Sequence, residues 1–170
     1  MRTYRLALAA ALLGFAAPGL AATTTATFQV SATVQPSCRL LNVNPLAFGI
    51  YDAAANKDVT TTFQVQCTRL TTWQIGLDNG QDFAAAPAPF DTYRAMQGNV
   101  VNTEFLAYGL FTDAPGGTAW GNTPGTDPLD SSSPTGAPVT VTIYGRIPLG
   151  QYDASAQGYT DSAVTITVNY

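Results

Sequence analysis

From Phe28 onward the chain alternates cleanly between apolar and polar positions. Phe28, Val30, Ala32 and Val34 fall on one face and Gln29, Ser31 and Thr33 on the other. Strict period-two alternation predicts a β-strand with one buried face. The same period returns along the rest of the chain. "VTTTFQVQC" (59–67) places Val59, Phe63, Val65 and Cys67 together, and "TTWQIGLD" (71–78) does so with Trp73, Ile75 and Leu77. "EFLAYGLFTD" (104–113) is apolar on both faces, as a central strand would be. "VTVTIYGRI" (139–147) and "AVTITVNY" (163–170) alternate again, the latter grouping Val164, Ile166, Val168 and Tyr170. "CRLLNVNPLAFG" (38–49) is a less regular candidate, interrupted at Pro45. No window beyond the first twenty or so residues sustains helical spacing. Short strands separated by Gly, Pro, Asn and Asp clusters predict an all-β sandwich in one domain. Residues 79–93 and 114–138 hold most of the prolines and glycines with little periodicity, so both are expected to be loops.

The N-terminus has a separate purpose. Arg2 and Arg5 precede the apolar run "LALAALLGFAA", and "PGLA" then ends in small residues. These are the parts of a secretory signal peptide, expected to span residues 1–21 with cleavage after Ala21. The run is too short for a membrane span of about 20 residues. An exported chain enters an oxidising compartment, where a disulfide is the default for its two cysteines, Cys38 and Cys67. A redox pair or metal site lacks CxxC spacing and any histidine.

Charge narrows the partners. The chain carries seven basic and eleven acidic residues, a net charge of −4, and losing Arg2 and Arg5 makes it more acidic. Such a chain cannot hold nucleic acid through phosphate neutralisation. Sparse charge with many hydroxyl and amide side chains suits a surface that packs against copies of itself.

Catalysis finds little support. The absence of histidine removes the usual base for a hydroxyl nucleophile, and a glycosidase needs two flanking carboxylates where only Glu104 is a glutamate. Asp127 and Asp130 lack the spacing of known calcium loops, and "GGTAWG" lacks the lysine and helix of a phosphate loop. No small-molecule substrate, cofactor or metal is expected. Trp73, at a strand centre, reads as core. Trp120, in a Gly-rich loop, is what a carbohydrate-binding adhesin would use, but an aromatic folded back on the sandwich edge explains it equally.

Two features of the ends belong together. Strand pattern runs to Tyr170 without a following hairpin, which suggests a sheet lacking its next strand. The 22–34 segment has an apolar face and no hairpin partner, because Pro36 and Cys38 follow without a tight turn. One arrangement satisfies both: the N-terminal strand of one molecule fills the open groove of another by β-strand addition. Periodicity alone favours the simpler alternative, that residues 27–34 are the first strand of a complete sandwich.

The order of "TFQVSATVQPSC", "LAFGIYD", "VQCT", "YRAM", "LAYGLFTDA", "VTIYGRIPLGQ" and "YTDSAVTITVNY" resembles the spore coat protein U-like domain. That family includes the subunits of archaic (Csu-type) chaperone–usher pili. The resemblance implies an incomplete immunoglobulin-like sandwich (residues 35–170) completed by a donor strand from a neighbouring subunit. It implies a Cys38–Cys67 disulfide, a donor strand within 22–34 presenting Phe28, Val30, Ala32 and Val34, and a groove bordered by Val164, Ile166, Val168 and Tyr170. The implied partners are a periplasmic chaperone, an outer-membrane usher and other pilus subunits. The implied destination is the cell surface, with attachment and biofilm formation as the role. A self-contained secreted coat protein remains the alternative, with a carbohydrate-binding adhesin third. The family's proline after the Asp of "FGIYD" is replaced by "AAANKD", and the 82–92 insertion is rich in Ala and Pro.

Overall fold

The computed structural model describes residues 19, 21–82, 94–123, 125 and 129–170. The expected signal peptide, most of the 79–93 loop and Asp127 lie outside the described residues. Two units are distinct, one ending at Thr33 and one spanning Val34–Tyr170. In the first, residues 21–33 form no strand, and Phe28 and Val30 are 87% and 81% exposed.

Val34–Tyr170 is all β, with nine strands among the described residues: β1 (Cys38–Leu41), β2 (Lys57–Cys67), β3 (Thr71–Leu77), β4 (Arg94–Gly98), β5 (Phe105–Phe111), β6 (Leu129–Ser133), β7 (Val139–Ile147), β8 (Tyr159–Thr160) and β9 (Ile166–Asn169). They form two antiparallel sheets, one in the order β1-β2-β7-β5-β4-β8 and one in the order β6-β3-β9. Alternation in the sequence becomes alternation in burial. Phe63 and Val65 of β2, Val141, Ile143 and Ile147 of β7, and Trp73, Ile75 and Leu77 of β3 point into one core. Strand β5 lies inside the sheet between β7 and β4 and is buried on both faces, in keeping with its unbroken apolar run.

Three strands were not legible in the hydrophobic pattern. β4 and β8 are short, and β6 lies inside the stretch expected to be loop. Its sequence, LDSSS, buries only Ser133 and pairs with β3 as an edge. An edge strand needs ladder bonds on one side and little apolar surface, so periodicity cannot reveal it. The 38–49 candidate is shorter than expected. β1 stops at Leu41, where Asn42 takes a left-handed conformation (φ 50°) and Pro45 follows. Cys38 stands directly opposite Cys67 in the β1–β2 register, and the two form a disulfide.

Candidate functional site

Strand β9 is an edge. It pairs with β3 from Ile166 opposite Leu77 to Asn169 opposite Gln74, and no described strand pairs with its other side. Beyond that free edge lies an open groove of about 1340 Å³. Residues 43–53 form its far wall without joining either sheet, while Val164 and Ile166 border it on the β9 side. Its floor is the core itself: Leu77, Tyr108, Leu110, Ile143 and Ile147 line the groove. The groove therefore runs along one side of the sandwich over core side chains that are themselves buried.

Each wall is fixed by specific bonds. On the far side, Asn44 donates to the Thr62 carbonyl and Thr61 to the Asn44 carbonyl, tethering the segment to β2. Tyr51 donates to Pro148 O at 2.8 Å. Leu46 and Phe48 lie across β7 at Gly145, where a β-carbon would sit 2.7 Å from Leu46 Cδ2 and 3.0 Å from Phe48 Cζ. The neighbouring Arg146 makes a two-pronged ion pair with Asp58 across the β2–β7 ladder, both bonds 2.7 Å. The Arg146 hydrogen bond, ahead of its charge, holds the Asp58 carboxyl below the ordinary carboxylate range against the opposing pull of burial.

The loop from β7 to β9 is held at the end of the groove. β5 outruns β7, leaving Ala107 without a ladder partner there, and the Gln151 amide accepts from Ala107 N and donates to Ala107 O. Glu104 accepts hydrogen bonds from Ser155, Gln157 and Tyr159, led by the Ser155 hydroxyl, which keep its carboxyl below the usual range. Near the start of β9, Tyr108 donates to Asp161 at 2.7 Å, and Asp78 accepts from Thr165 N at 2.8 Å. Burial raises Asp78, but bonds from Thr165 and Gly80 outweigh it and leave the carboxyl lowered. Burial, reinforced by the bond to Asp161, raises the Tyr108 phenol. Arg94 is buried beneath, donating to the carbonyls of Leu77, Asp78 and Trp120. These bonds lock the end of β3, β4 and the run into β9 into one frame.

The residues singled out from the sequence separate accordingly. Val164 and Ile166 line the groove, Val168 packs against the core, and Tyr170 lines a second, shallow hollow with Leu70 and Pro36. Phe28, Val30 and Ala32 are exposed outside any sheet, as is Val34, at 80%. Trp120 is only 1% exposed, donates to Ile75 O at 2.8 Å and packs near Phe63. A ring so enclosed cannot stack on a sugar, so Trp120 is removed as an adhesin residue. No cluster of three or more His, Cys, Asp or Glu among the described residues could hold a metal ion, and none of their helices is long and apolar enough to cross a membrane. Sequence reasoning missed the far wall: Ala47, Phe48 and Tyr51 sit in no strand, so no period marks them.

Comparison with known proteins agrees with this architecture. The Spore Coat Protein U domain matches residues 24–167. Protein U of Myxococcus xanthus is 38% identical over 171 residues, covering 94% of this chain and 92% of that protein. Among solved structures, the fold is similar to a chain of the CsuC–CsuE chaperone–tip adhesion subunit pre-assembly complex from the archaic chaperone-usher Csu pili of Acinetobacter baumannii. That match has a TM-score of 0.55 at 21% identity and covers 81% of this chain. This chain spans only 41% of the Csu chain.

Proposed function

Because this chain belongs to the Spore Coat Protein U domain family, a family of structural rather than enzymatic proteins, we propose that it is a pilus subunit assembled by donor-strand exchange. The segment 22–34 of one copy lies in the groove of the next, with Phe28, Val30, Ala32 and Val34 directed at the core residues that line its floor. Before assembly, a periplasmic chaperone covers the same groove, and an outer-membrane usher exchanges one strand for the other. The fibre reaches the cell surface, where it serves attachment and biofilm formation.

The observation that carries this function is the combination of an open groove and an unpaired apolar strand pattern in one chain. Leu77, Leu110, Ile143 and Ile147, all core residues, line the groove floor beside the free edge of β9. Phe28 and Val30 are large apolar residues left almost fully exposed. Burying each contributes on the order of 1.5–3 kcal/mol before ordering costs, and ladder bonds would satisfy the β9 edge. An unbroken contact of this kind is head to tail and propagates into a fibre.

Val30→Asp tests it directly. A charge placed on the buried face should abolish polymers while leaving the subunit's complex with its chaperone intact, as read by native electrophoresis of periplasmic extracts. Normal fibres from Val30→Asp would refute the donor face. A wild-type protein that is stable, monomeric and independent of a chaperone would point to a self-contained coat protein instead.

A further inference from the structure

Two exposed apolar patches lie at opposite ends of the Val34–Tyr170 domain. Strand β2 runs between them, and its 11 residues span roughly 33 Å at 3.3 Å per residue. At one end, the β2–β3 turn presents Leu70, 71% exposed, beside Tyr170, 61% exposed. Leu70 is also held in a left-handed conformation, φ 65°. A leucine is strained in that conformation; the turn bonds Thr71 N to Thr68 O and Leu70 N to Ser133 O hold it there, while its side chain stays largely exposed. Leu70 and Tyr170 rim the shallow hollow that adjoins Val34, where the donor segment leaves the domain. Arg69 lines the same hollow, Arg39 is exposed next to the Cys38–Cys67 bridge, and no Asp or Glu among the described residues lines it.

At the other end, the loops at 49–53 and 148–153 are joined by Gly150 N donating to Ala53 O at 2.7 Å. They hold out Ile50, 90% exposed, Leu149, 57%, and Tyr152, 73%. Exposed Asp52 and Asp153 flank them, with the partly buried Lys57 nearby at the start of β2. Ile50 and Tyr152 also line the end of the groove. One end is therefore apolar with a cationic rim, and the other is apolar with an anionic rim. Like ends repel and unlike ends attract.

Donor direction links the two. β9 starts near Leu77 and ends toward the Leu70 turn. A donor lying antiparallel to β9 leaves the groove at its Ile50–Tyr152 end and becomes Val34 of its own domain there. That brings the hollow of the donating copy onto the knobs of the accepting one. We propose that successive copies dock end to end, with Ile50 and Tyr152 seated against Leu70 and Tyr170, and Arg39 and Arg69 facing Asp52 and Asp153. The partner is a second copy of this chain. The contact rests on strand exchange but is separate from it: exchange links the copies, and the docked ends fix the angle between them.

The test compares fibres of the full chain carrying Arg69→Asp, Leu70→Gly, or the swap Arg69→Asp/Asp153→Arg. Polymerisation is read as a denaturant-resistant ladder, and stiffness as bending persistence in electron micrographs at low and high salt. Arg69→Asp and Leu70→Gly should polymerise normally but lose stiffness several-fold, high salt should soften wild-type fibres, and the swap should restore stiffness. Leu70→Gly relieves backbone strain, so its loss of stiffness cannot be attributed to misfolding. Fibres of both variants as stiff as wild type would overturn the docked ends and leave strand exchange standing. Softening that the swap fails to restore would also overturn it, placing the effect in the Arg69 bond to Pro134 of its own domain. A wild-type chain without any ladder would remove strand exchange and the docked ends together.

Discussion

At Gly145 a missing side chain decides the position of a whole segment. Leu46 and Phe48 can cross β7 only because nothing projects there, and both pack on the core. Gly145→Val should cost about 1–3 kcal/mol by overpacking and should displace the far wall of the groove. Thermal unfolding would measure the first effect, and weaker capture of a 22–34 peptide, under the proposed exchange, the second. Its neighbour Arg146 shows the opposite case, a side chain kept for its reach. The Arg146–Asp58 pair is partly exposed, at 28% and 40%, and such pairs are worth at most about 1 kcal/mol. Both residues stood out in the sequence as part of "YGRIPLG", yet neither role could be read there. A glycine's need for space depends on what crosses above it, and an arginine's partner on strand register. Trp120 was illegible for the same reason: its burial depends on Ile75 and Phe63, distant in sequence.

Among the elements, the strongly alternating strands were legible and the rest were not. β2, β3, β5 and β7 each bury one or both faces, and burial is what period two reports. β6 and the 43–53 wall bury little through alternation, so their places follow from hydrogen bonds that leave no pattern. The disulfide was legible from compartment and count. Joining β1 to β2 at Cys38 and Cys67, it closes a loop with a sequence separation of 29. Replacing both cysteines with serine should cost about 3–4 kcal/mol by the chain-entropy model, seen as a lower unfolding midpoint in denaturant and lower periplasmic yield. The 22–34 segment is the instructive case. It has the alternation of a buried strand, yet residues 21–33 form no strand and expose Phe28 and Val30. Period two reports that a face is meant to be covered, not by which chain.

For the molecule as a whole, acid should be the weakening condition. Asp58, Asp78, Glu104 and Asp113 all have carboxyls lowered in the folded state: Asp58 and Glu104 chiefly by side-chain bonds, Asp113 by backbone bonds from Thr118 and Ala114, and Asp78 by bonds that overcome its burial. A lowered carboxyl stabilises above its unfolded value of about 4 and loses that contribution as pH falls through the folded one. Among the described residues only Asp82 opposes this, raised by burial and then by the Asp161 charge. Thermal midpoints should be level from about pH 5 to 7 and fall below about pH 4. Because Glu104 and Asp78 anchor the groove walls, the proposed donor strand should be released faster over the same range.

The sequence by itself determined an all-β domain, most of its strands, its cysteine pairing and the alternating apolar face of the 22–34 segment. Each of these is written in local composition or in a period that burial imposes on neighbouring residues. Only the tertiary structure decided that no described strand covers the far edge of β9, that a groove floored by core residues runs beside it, that Trp120 is enclosed, and that the two ends carry opposite rims. Those facts depend on which strands pair and on what lies opposite them, and pairing between residues a hundred positions apart leaves no periodic trace in the chain.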